Sequence, residues 1–176
     1  MARKSKQDWI DLAFTKLIEN GLDALSAEPM ARELGVTRGS FYHHFKSRTD
    51  FLDQVLQGWE DVSTGRVFQL SQEGSPEERL KCLSDLAWST SLELDAAVRA
   101  WALHCEMARD YVCRVDEQRL AYVTSLYEAA SSNKATARKL ARVAYFGFLG
   151  VLFYQPKMTE QERNEFRADL HSLLPR

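Results

Sequence analysis

Apolar residues recur at helical spacing along almost the whole chain, and this periodicity limits the fold more than any other sequence feature. The spacing i, i+3, i+4, i+7, i+8 places apolar side chains on one face of a helix. No segment shows the period of two that is typical of a half-buried strand. The sequence therefore predicts an all-α fold of about nine helices. The first stripe comprises Ile10, Ala13, Phe14, Leu17 and Ile18.

Capping residues predict where the helices begin and end. A Ser or Thr with an acidic residue three positions later is typical of a helix start, and Gly is typical of an end. Gly21 and Gly35 predict two such ends, and Gln155-Pro156 separates the last two helices. Further helices are predicted near residues 76–89, 94–109, 116–131 and 135–153. The predicted starts are Ser5 with Asp8, Ser26, Thr37, Ser47 with Asp50, Ser75 with Pro76 and Glu78, and Thr159 with Glu162.

Residues 26–50 predict two short helices around a tight turn, a helix-turn-helix. On a helical wheel, Phe41 and Phe45 share an inward face, and we expect His44 beside them to be packed and hydrogen-bonded. The opposite face carries basic and hydrogen-bonding side chains, and Gly39 permits close approach. This mixture favours a helix that enters the DNA major groove, where donors meet base edges and phosphates. The N-terminal cluster of Arg3, Lys4 and Lys6 fits either phosphate contacts or a solvated tail.

The same segment resembles the amino-terminal motif of the TetR/AcrR family of bacterial transcriptional regulators over residues 5–55. The resemblance implies a homodimer whose two heads read successive major grooves of a near-palindromic operator. It also implies a carboxy-terminal body that binds a small molecule or another signal and so changes the spacing of the two heads. The matching residues are Ala31-x-x-x-Gly35-Val36-x-x-Gly39-Ser40-Phe41-Tyr42-x-His44-Phe45-Lys46-Ser47-Arg48. Carried over by position, the DNA-binding residues are Thr37, Arg38, Gly39, Ser40, Tyr42, His43, Lys46 and Arg48, with His43 at the variable, specificity-setting position.

We expect residues 1–50 to form the DNA-binding domain and residues 51–176 to form a helical domain for ligand binding and dimerisation. The run from Val143 to Tyr154 is apolar nearly all round and predicts a buried helix. At 12 residues it is too short to span a membrane, which takes about 20. It fits the helix-pair dimer interface of the family, or else an internal core helix of a monomer. The expected interface residues are Phe146, Gly147, Gly150, Val151, Phe166 and Leu170, with Leu173 and Leu174 on the same face of the last helix.

Large or polar-tipped side chains in the body are candidates for a ligand pocket. Trp101, His104 and Met107 follow one another at three-residue spacing and could share a helix face. Their composition favours a mostly apolar or aromatic effector with few polar anchors, although ordinary core packing would use the same residues. The expected pocket residues are Trp88, Trp101, His104, Met107, Tyr122 and Phe146, with Tyr111 and Tyr127 nearby.

Composition limits the remaining function classes. The formal net charge is −2, so any nucleic-acid binding must depend on local charge. The odd number of cysteines and the lack of a secretory segment after Met1 indicate a reduced, cytosolic setting. Cys105 and Cys113 would lie about 12 Å apart on a continuous helix, too far for a disulfide or one metal. Adjacent His43 and His44 point about 100° apart on a helix, so we expect no metal.

No phosphate-binding loop or hydrolase motif is present, so we expect neither an enzyme nor a cofactor. The predicted function is a ligand-responsive homodimeric repressor that binds a double-stranded operator. Three alternatives stay open: a DNA-binding regulator without a small-molecule ligand, an activator or non-specific binder, and a helical adaptor or enzyme that uses the fold structurally.

Overall fold

The computed structural model describes residues 4–89, 92–154 and 158–172, and for residues 170 and 171 it describes the backbone only. The predicted helix-breaking pair Gln155-Pro156 and residues Arg3, Leu173 and Leu174 lie outside this range. The described residues form helices and no strands, which confirms the all-α prediction. The helices are α1 (Lys6–Asn20), α2 (Ala27–Glu33), α3 (Arg38–His44), α4 (Arg48–Glu60), α5 (Arg66–Leu70), α6 (Pro76–Ser89), α7 (Leu92–Ala102), α8 (Glu106–Ala129), α9 (Lys134–Phe153) and α10 (Glu160–Ser172).

Helices α4 and α5 are joined by a π-helical turn at Asp61–Gly65, so they form one interrupted helix. Counted in this way, the described residues hold nine helices, as predicted. Arg119 on α8 holds the turn: its Nε donates to Thr64 Oγ1 at 2.9 Å and its Nη2 donates to Ser63 Oγ at 2.9 Å. Thr64 is buried, so its hydroxyl needs this partner.

The predicted caps are largely confirmed. Ser5 forms a reciprocal capping box with Asp8, and the pairs Ser75–Glu78 and Thr159–Glu162 also bond in both directions. Ser47 caps α4 by accepting from the Asp50 N–H at 3.0 Å. Gly21 and Gly35 end α1 and α2 with φ values of 71° and 68°, a backbone region in which a side chain would be strained. Ser26 and Thr37 stand at N-cap positions, but their hydroxyls make no cap hydrogen bond.

Two of the predicted helix boundaries were wrong. The stretch 94–109 is broken, because α7 ends at Ala102 and a turn over residues 103–105 precedes α8. Helix α8 then runs unbroken from Glu106 to Ala129, through the gap that was expected before residue 116. Trp101 and Ala102 are buried while Leu103 is the most exposed large apolar residue of the described chain, so packing of the helix end, not a Gly or Pro signal, sets the break.

The chain divides into two compact units. The head unit comprises Met1–Val62 and Glu93–Cys113, and the body unit comprises Ser63–Leu92 and Arg114–Arg176. The head unit thus contains α4 and α7 in addition to α1–α3. The division describes packing, whereas the predicted boundary after residue 50 concerns function and stays a prediction.

Each unit has its own core. In the head unit, Trp59 Nε1 on α4 donates to Asp95 Oδ1 on α7 at 3.0 Å, and Arg99 Nε donates to Asp95 Oδ2 at 3.0 Å. All three side chains are buried, so the carboxylate is balanced by charge and hydrogen bonds. In the body unit, Tyr145 Oη on α9 donates to Asp116 Oδ1 on α8 at 2.6 Å. The apolar core of the body unit comprises Val67, Leu80, Leu83, Leu126, Tyr127, Ala137 and Ala141.

The run Val143–Tyr154 was predicted to form a buried helix. That prediction is wrong for one face of the helix, which is exposed in the single chain. Val143, Phe146, Phe153 and Tyr154 are between 50% and 59% exposed. The buried face of α9 carries the small residues Ala137 and Ala141 with Tyr145. None of the helices in the described part of the chain combines the length and apolar composition that crossing a bilayer requires.

Candidate nucleic-acid interface

The turn between α2 and α3 sets the direction of α3. Gly35 adopts the left-handed conformation, and the Val36 N–H donates to the Ala31 carbonyl at 2.9 Å across the end of α2. Thr37 is extended and its carbonyl accepts from the Ser40 N–H at 2.9 Å, which begins α3. This geometry is a helix-turn-helix, in which the second helix is presented outward by the first.

Aromatic packing fixes the inward face of α3. Phe41 and Phe45 are each 1% exposed, and the Phe41 ring lies 5.4 Å from the Trp9 ring and 5.2 Å from the Phe51 ring. Edge-to-face aromatic pairs at these distances add to the stabilisation by burial. Helix α3 has only seven residues and would not persist alone in water, so this cluster is what holds it.

The outward face of α3 and the following turn hold the eight residues predicted to bind DNA. Seven of them are exposed and Ser40 is half-buried. A Cβ on Gly39 would meet only Thr37 Oγ1 at 3.6 Å, an ordinary contact. The head unit itself therefore does not require glycine there, and the absent side chain leaves room for an external surface. The exposed residues are Thr37, Arg38, Gly39, Tyr42, His43, Lys46 and Arg48.

Arg38 and Tyr42 form a pair on this face. Arg38 Nη2 donates to Tyr42 Oη at 3.2 Å, and the guanidinium carbon lies 5.6 Å from the centre of the Tyr42 ring. The hydrogen bond to Tyr42 raises the pKa of Arg38, so the guanidinium stays charged at every physiological pH. The pair holds a cation and a phenol in a defined orientation before any ligand arrives, which reduces the entropy lost on binding.

Arg48 and Lys46 are positioned by the turn between α3 and α4. Arg48 Nε donates to the Leu25 carbonyl at 3.4 Å, which uses one of the five N–H donors of the guanidinium. The Lys46 N–H donates to Asp50 Oδ2 at 2.6 Å. The hydrogen bond from the Lys46 backbone, followed by that from Gln54, lowers the pKa of Asp50. The backbone of the turn is thereby fixed, while the side chain of Lys46 extends into solvent.

His44 is packed and hydrogen-bonded, as expected. Its Nε2 lies 2.9 Å from the carbonyl oxygen of Lys4, and its ring lies 5.1 Å from that of His43. Within the described ranges, no three His, Cys, Asp or Glu side chains are grouped closely enough to hold a metal ion.

The residues predicted to line a ligand pocket are divided between the two units. In the head unit, Trp101 is buried and its Nε1 has no hydrogen-bond partner, whereas His104 lies exposed in the turn before α8. The prediction that Trp101, His104 and Met107 share one helix face is wrong, because α7 ends between Trp101 and His104. In the body unit, Trp88 and Tyr122 are half-buried and Phe146 is exposed. Membership of a pocket stays a prediction for all six.

The predicted interface residues separate into two groups. A Cβ on Gly147 would approach the Phe166 ring of the same chain to 2.9 Å, and the Phe166 ring lies 6.1 Å from that of Trp88. These contacts lie within the body unit. A Cβ added to Gly150 would have no neighbouring atom within 4 Å, and Val151 is half-buried. Leu170 lies in α10, but its side chain is outside the described residues.

An apolar row that includes Phe146 and Gly150 was not recognised in full from the sequence. Val143, Phe146, Gly150 and Phe153 are separated by three, four and three residues, and we call this row the α9 seam. The three side chains of the seam are all more than half exposed. The 3–4–3 spacing is the signal that could have identified it, since it repeats the pattern of a helix-packing seam.

One family model matches a segment of the head unit. Residues 10–55 match the family model of bacterial regulatory proteins, tetR family. An HTH-type transcriptional repressor, KstR2 of Rhodococcus jostii, is 26% identical over 121 residues, which are 69% of this chain and 57% of that protein. The chain thus spans little more than half the length of this curated relative.

Solved structures share the fold over nearly the full chain. A TetR transcriptional regulator from Legionella pneumophila superimposes with a TM-score of 0.75 at 15% identity, covering 99% of both chains. The multidrug binding protein EbrR, solved with imidazole, has a TM-score of 0.60 at 23% identity and covers 99% of this chain and 97% of its own. At these identities the likeness establishes the fold.

Proposed function

This chain belongs to the tetR family of bacterial regulatory proteins, and from that premise we propose that it is a homodimeric, ligand-responsive transcriptional repressor. Each copy reads one half of a near-palindromic operator by placing α3 in the major groove. The observation that carries this proposal is the division of α3 into an inward aromatic face and an outward face with Arg38, Tyr42 and His43.

The chemistry of the outward face fits duplex DNA. Arg38 stands in the first turn of α3, where recognition helices contact base edges, and a guanidinium pairs well with guanine. Thr37, Lys46 and Arg48 lie at the two ends of α3, where hydroxyl and cationic groups meet phosphates. We expect His43, which is also exposed, to contribute to specificity.

The α9 seam supports the homodimer. Three apolar side chains that are more than half exposed follow helix-packing spacing, and Gly150 leaves space in the middle of the row. A second copy of the same helix, related by a two-fold axis, would cover each seam with the other. Two heads joined in this way would meet half-sites about one helical turn, or a multiple of it, apart.

The effector that we propose is apolar or aromatic. The residue types predicted for the lining, which are tryptophan, tyrosine and phenylalanine, suit such a molecule. The structure is similar to that of a multidrug binding protein solved with imidazole, and an aromatic ligand is consistent with that similarity. Binding would stabilise a spacing of the heads that does not match the operator, so that RNA polymerase regains the promoter.

The decisive experiment is recovery of operator DNA. The purified protein is incubated with sheared genomic DNA of its source at physiological salt, and the retained fragments are sequenced. We expect a few fragments that share an inverted repeat and bind at least about 10³-fold more tightly than random DNA. Featureless recovery that disappears as salt rises would contradict sequence-specific regulation, because it reflects phosphate attraction alone.

Placement of the recovered repeat relative to the promoter separates repression from activation. A repeat that overlaps the polymerase site supports the repressor, whereas a repeat upstream of it supports an activator. If apolar or aromatic compounds fail to release the recovered fragment, the proposed effector class is wrong.

A further inference from the structure

Two distant parts of the chain meet at the C-terminal end of α3. His44 Nε2 lies 2.9 Å from the carbonyl oxygen of Lys4, which is 40 residues earlier. A carbonyl oxygen only accepts, so Nε2 carries the proton and donates it. This bond ties the segment before α1 to the recognition helix.

Lys6 lies beside the same end of α3. Its Nζ is 6.0 Å from the centre of the Phe45 ring, which is a cation–π distance. The hydrogen bond from the Lys46 backbone is the largest cause of the lowered pKa of Asp50, and the positive charges of Lys46 and Lys6 lower that pKa further. The Lys4 backbone is bonded to His44 at this same end of α3, and we call Lys4, Lys6 and Lys46 together the lysine patch.

The carboxylates of Asp8 and Asp50, near the lysine patch, already accept hydrogen bonds at the starts of helices. Asp8 Oδ2 accepts from the Ser5 N–H at 2.6 Å and from Ser5 Oγ at 2.7 Å. Asp50 accepts from the Lys46 N–H and from Gln54 Nε2. Lys4 Nζ stands 4.0 Å from Asp8 Oδ1, at the limit of an ion pair, and such an exposed pair contributes little.

We propose that Lys4 and Lys6 form a second phosphate-binding site, which extends the DNA surface of α3 beyond Lys46 and is held in place by His44. The partner is the phosphate backbone of duplex DNA next to the groove that α3 enters. The inference rests on the proposed DNA-binding function. His44 acts as a positioning residue, because it touches the chain at Lys4 and not the DNA.

Fixing the segment before binding explains why a histidine is useful here. A lysine on a freely moving tail loses conformational entropy when it meets a phosphate. The bond to His44 removes part of that freedom in the unbound protein, so more of the electrostatic attraction remains as affinity.

The test measures how affinity depends on salt. The variant Lys4→Gln with Lys6→Gln removes both charges and leaves the Lys4 carbonyl and the side-chain stems. Binding to a fluorescein-labelled duplex with the recovered inverted repeat, and to a shuffled duplex, is followed by anisotropy over a range of salt concentrations. Each neutralised phosphate adds about 0.9 to the magnitude of the slope of log affinity against log salt. The loss of two contacts per copy should therefore reduce the slope by about 2 for each bound copy, which is about 4 for a bound dimer, on both duplexes.

The matched control is Lys139→Gln, which removes an exposed charge from α9 of the body unit and should leave the slope unchanged. A slope for the double variant equal to that of the wild type would overturn the phosphate site while leaving the proposed function intact. Wild-type protein that fails to prefer the inverted repeat would overturn the proposed function as well.

The role of His44 is tested by two substitutions. His44→Leu removes the donor and should reduce the slope in the same direction as the double lysine variant. His44→Gln keeps an N–H that can reach the Lys4 carbonyl and should restore the slope. If His44→Leu lowers the melting temperature and the affinity but leaves the slope at the wild-type value, the histidine is only structural and the positioning role is wrong.

Discussion

The outward face of α3 and the α9 seam are both exposed helix surfaces, but they differ in how well water solvates their side chains. On α3 the exposed side chains are charged or hydrogen-bonding, and Arg38 and Tyr42 already pair with each other. In the α9 seam the exposed side chains are Val143, Phe146 and Phe153, which form no hydrogen bonds with water. Exposed polar groups are stable in solvent and exchange water for phosphates or bases, whereas a row of exposed apolar groups favours association.

The two surfaces also differ in what lies beneath them. The outward face of α3 stands on a closed aromatic cluster, so the position of its side chains is set within one chain. The face of α9 opposite the seam carries two buried alanines and Tyr145. The α3 surface is therefore complete in one copy, while we propose that the α9 seam is completed by a second. Four predictions test this difference, beginning with the largest effect.

Phe41→Ala should remove the support of the recognition helix. The ring is buried and lies close to four other aromatic rings, and truncation of a buried phenylalanine typically costs about 3–5 kcal/mol. Urea unfolding should show this loss, and DNA binding should fail with it. Tyr42→Phe is the control: it keeps the ring, removes only the hydroxyl, and should change the free energy of unfolding by less than about 0.5 kcal/mol. Equal stability of Phe41→Ala and wild type would mean that α3 does not depend on the aromatic cluster.

Phe146→Glu should dissociate the proposed dimer without unfolding the chain. The substitution places an unpaired carboxylate in the seam of each copy, and burying such a charge costs several kcal/mol. The dissociation constant should rise at least about 100-fold, which analytical ultracentrifugation over a concentration series measures. Leu70→Glu replaces another apolar residue of similar exposure, outside the seam, and should leave the dimer intact. A monomeric wild type, or an unchanged constant for Phe146→Glu, would argue that the seam serves another contact.

Arg38→Ala with His43→Ala should abolish specific DNA binding and leave stability unaltered. Each good base contact contributes about 1–3 kcal/mol of discrimination, and both side chains are exposed. Affinity for the inverted repeat should fall toward that for shuffled DNA, while the melting temperature stays at the wild-type value. Arg32→Ala, which removes an exposed arginine from α2, is the matched control and should bind as the wild type does. Retained specificity in the double variant would locate base reading elsewhere.

Asp50→Asn should give the smallest effect, and one that depends on pH. Hydrogen bonds from Lys46 and Gln54 lower the pKa of Asp50 below its unfolded value, so the carboxylate stabilises the fold above that value. This contribution is lost as pH falls through the folded-state pKa. The melting temperature of Asp50→Asn should therefore lie below that of the wild type at neutral pH, and the difference should shrink as pH falls below about 4 and through the lowered pKa of Asp50. Asp23→Asn, at an exposed carboxylate of the turn after α1, should follow the wild-type curve; a constant deficit for Asp50→Asn would exclude the charge as its cause.

Much of the fold follows from local signals in the sequence. Ser75, Pro76 and Glu78 predict the start of α6 because cap hydrogen bonds form between residues three apart, whatever the rest of the chain does. The inward direction of Phe41 and Phe45 follows from helical period and apolarity in the same way.

Other features had no local signal. The residues Leu103-His104-Cys105 contain neither Gly nor Pro, yet the helix ends before them. The π-helical turn at Asp61–Gly65 is held by Arg119, more than 50 residues further along the chain. A helix whose hydrogen-bond register changes in response to a distant side chain cannot be recognised from its own sequence.

Phe146 and Phe148, two residues apart in α9, show what the sequence determined and what only the tertiary structure decided. The sequence determined that both stand in an apolar helix, because period and apolarity are properties of the segment itself. Only the tertiary structure decided that Phe148 packs against Trp88, with ring centres 5.6 Å apart, while Phe146 remains 57% exposed. The physical reason is that burial depends on which distant residue arrives at a given face, and two equally apolar faces of one helix carry no local information about which will be covered.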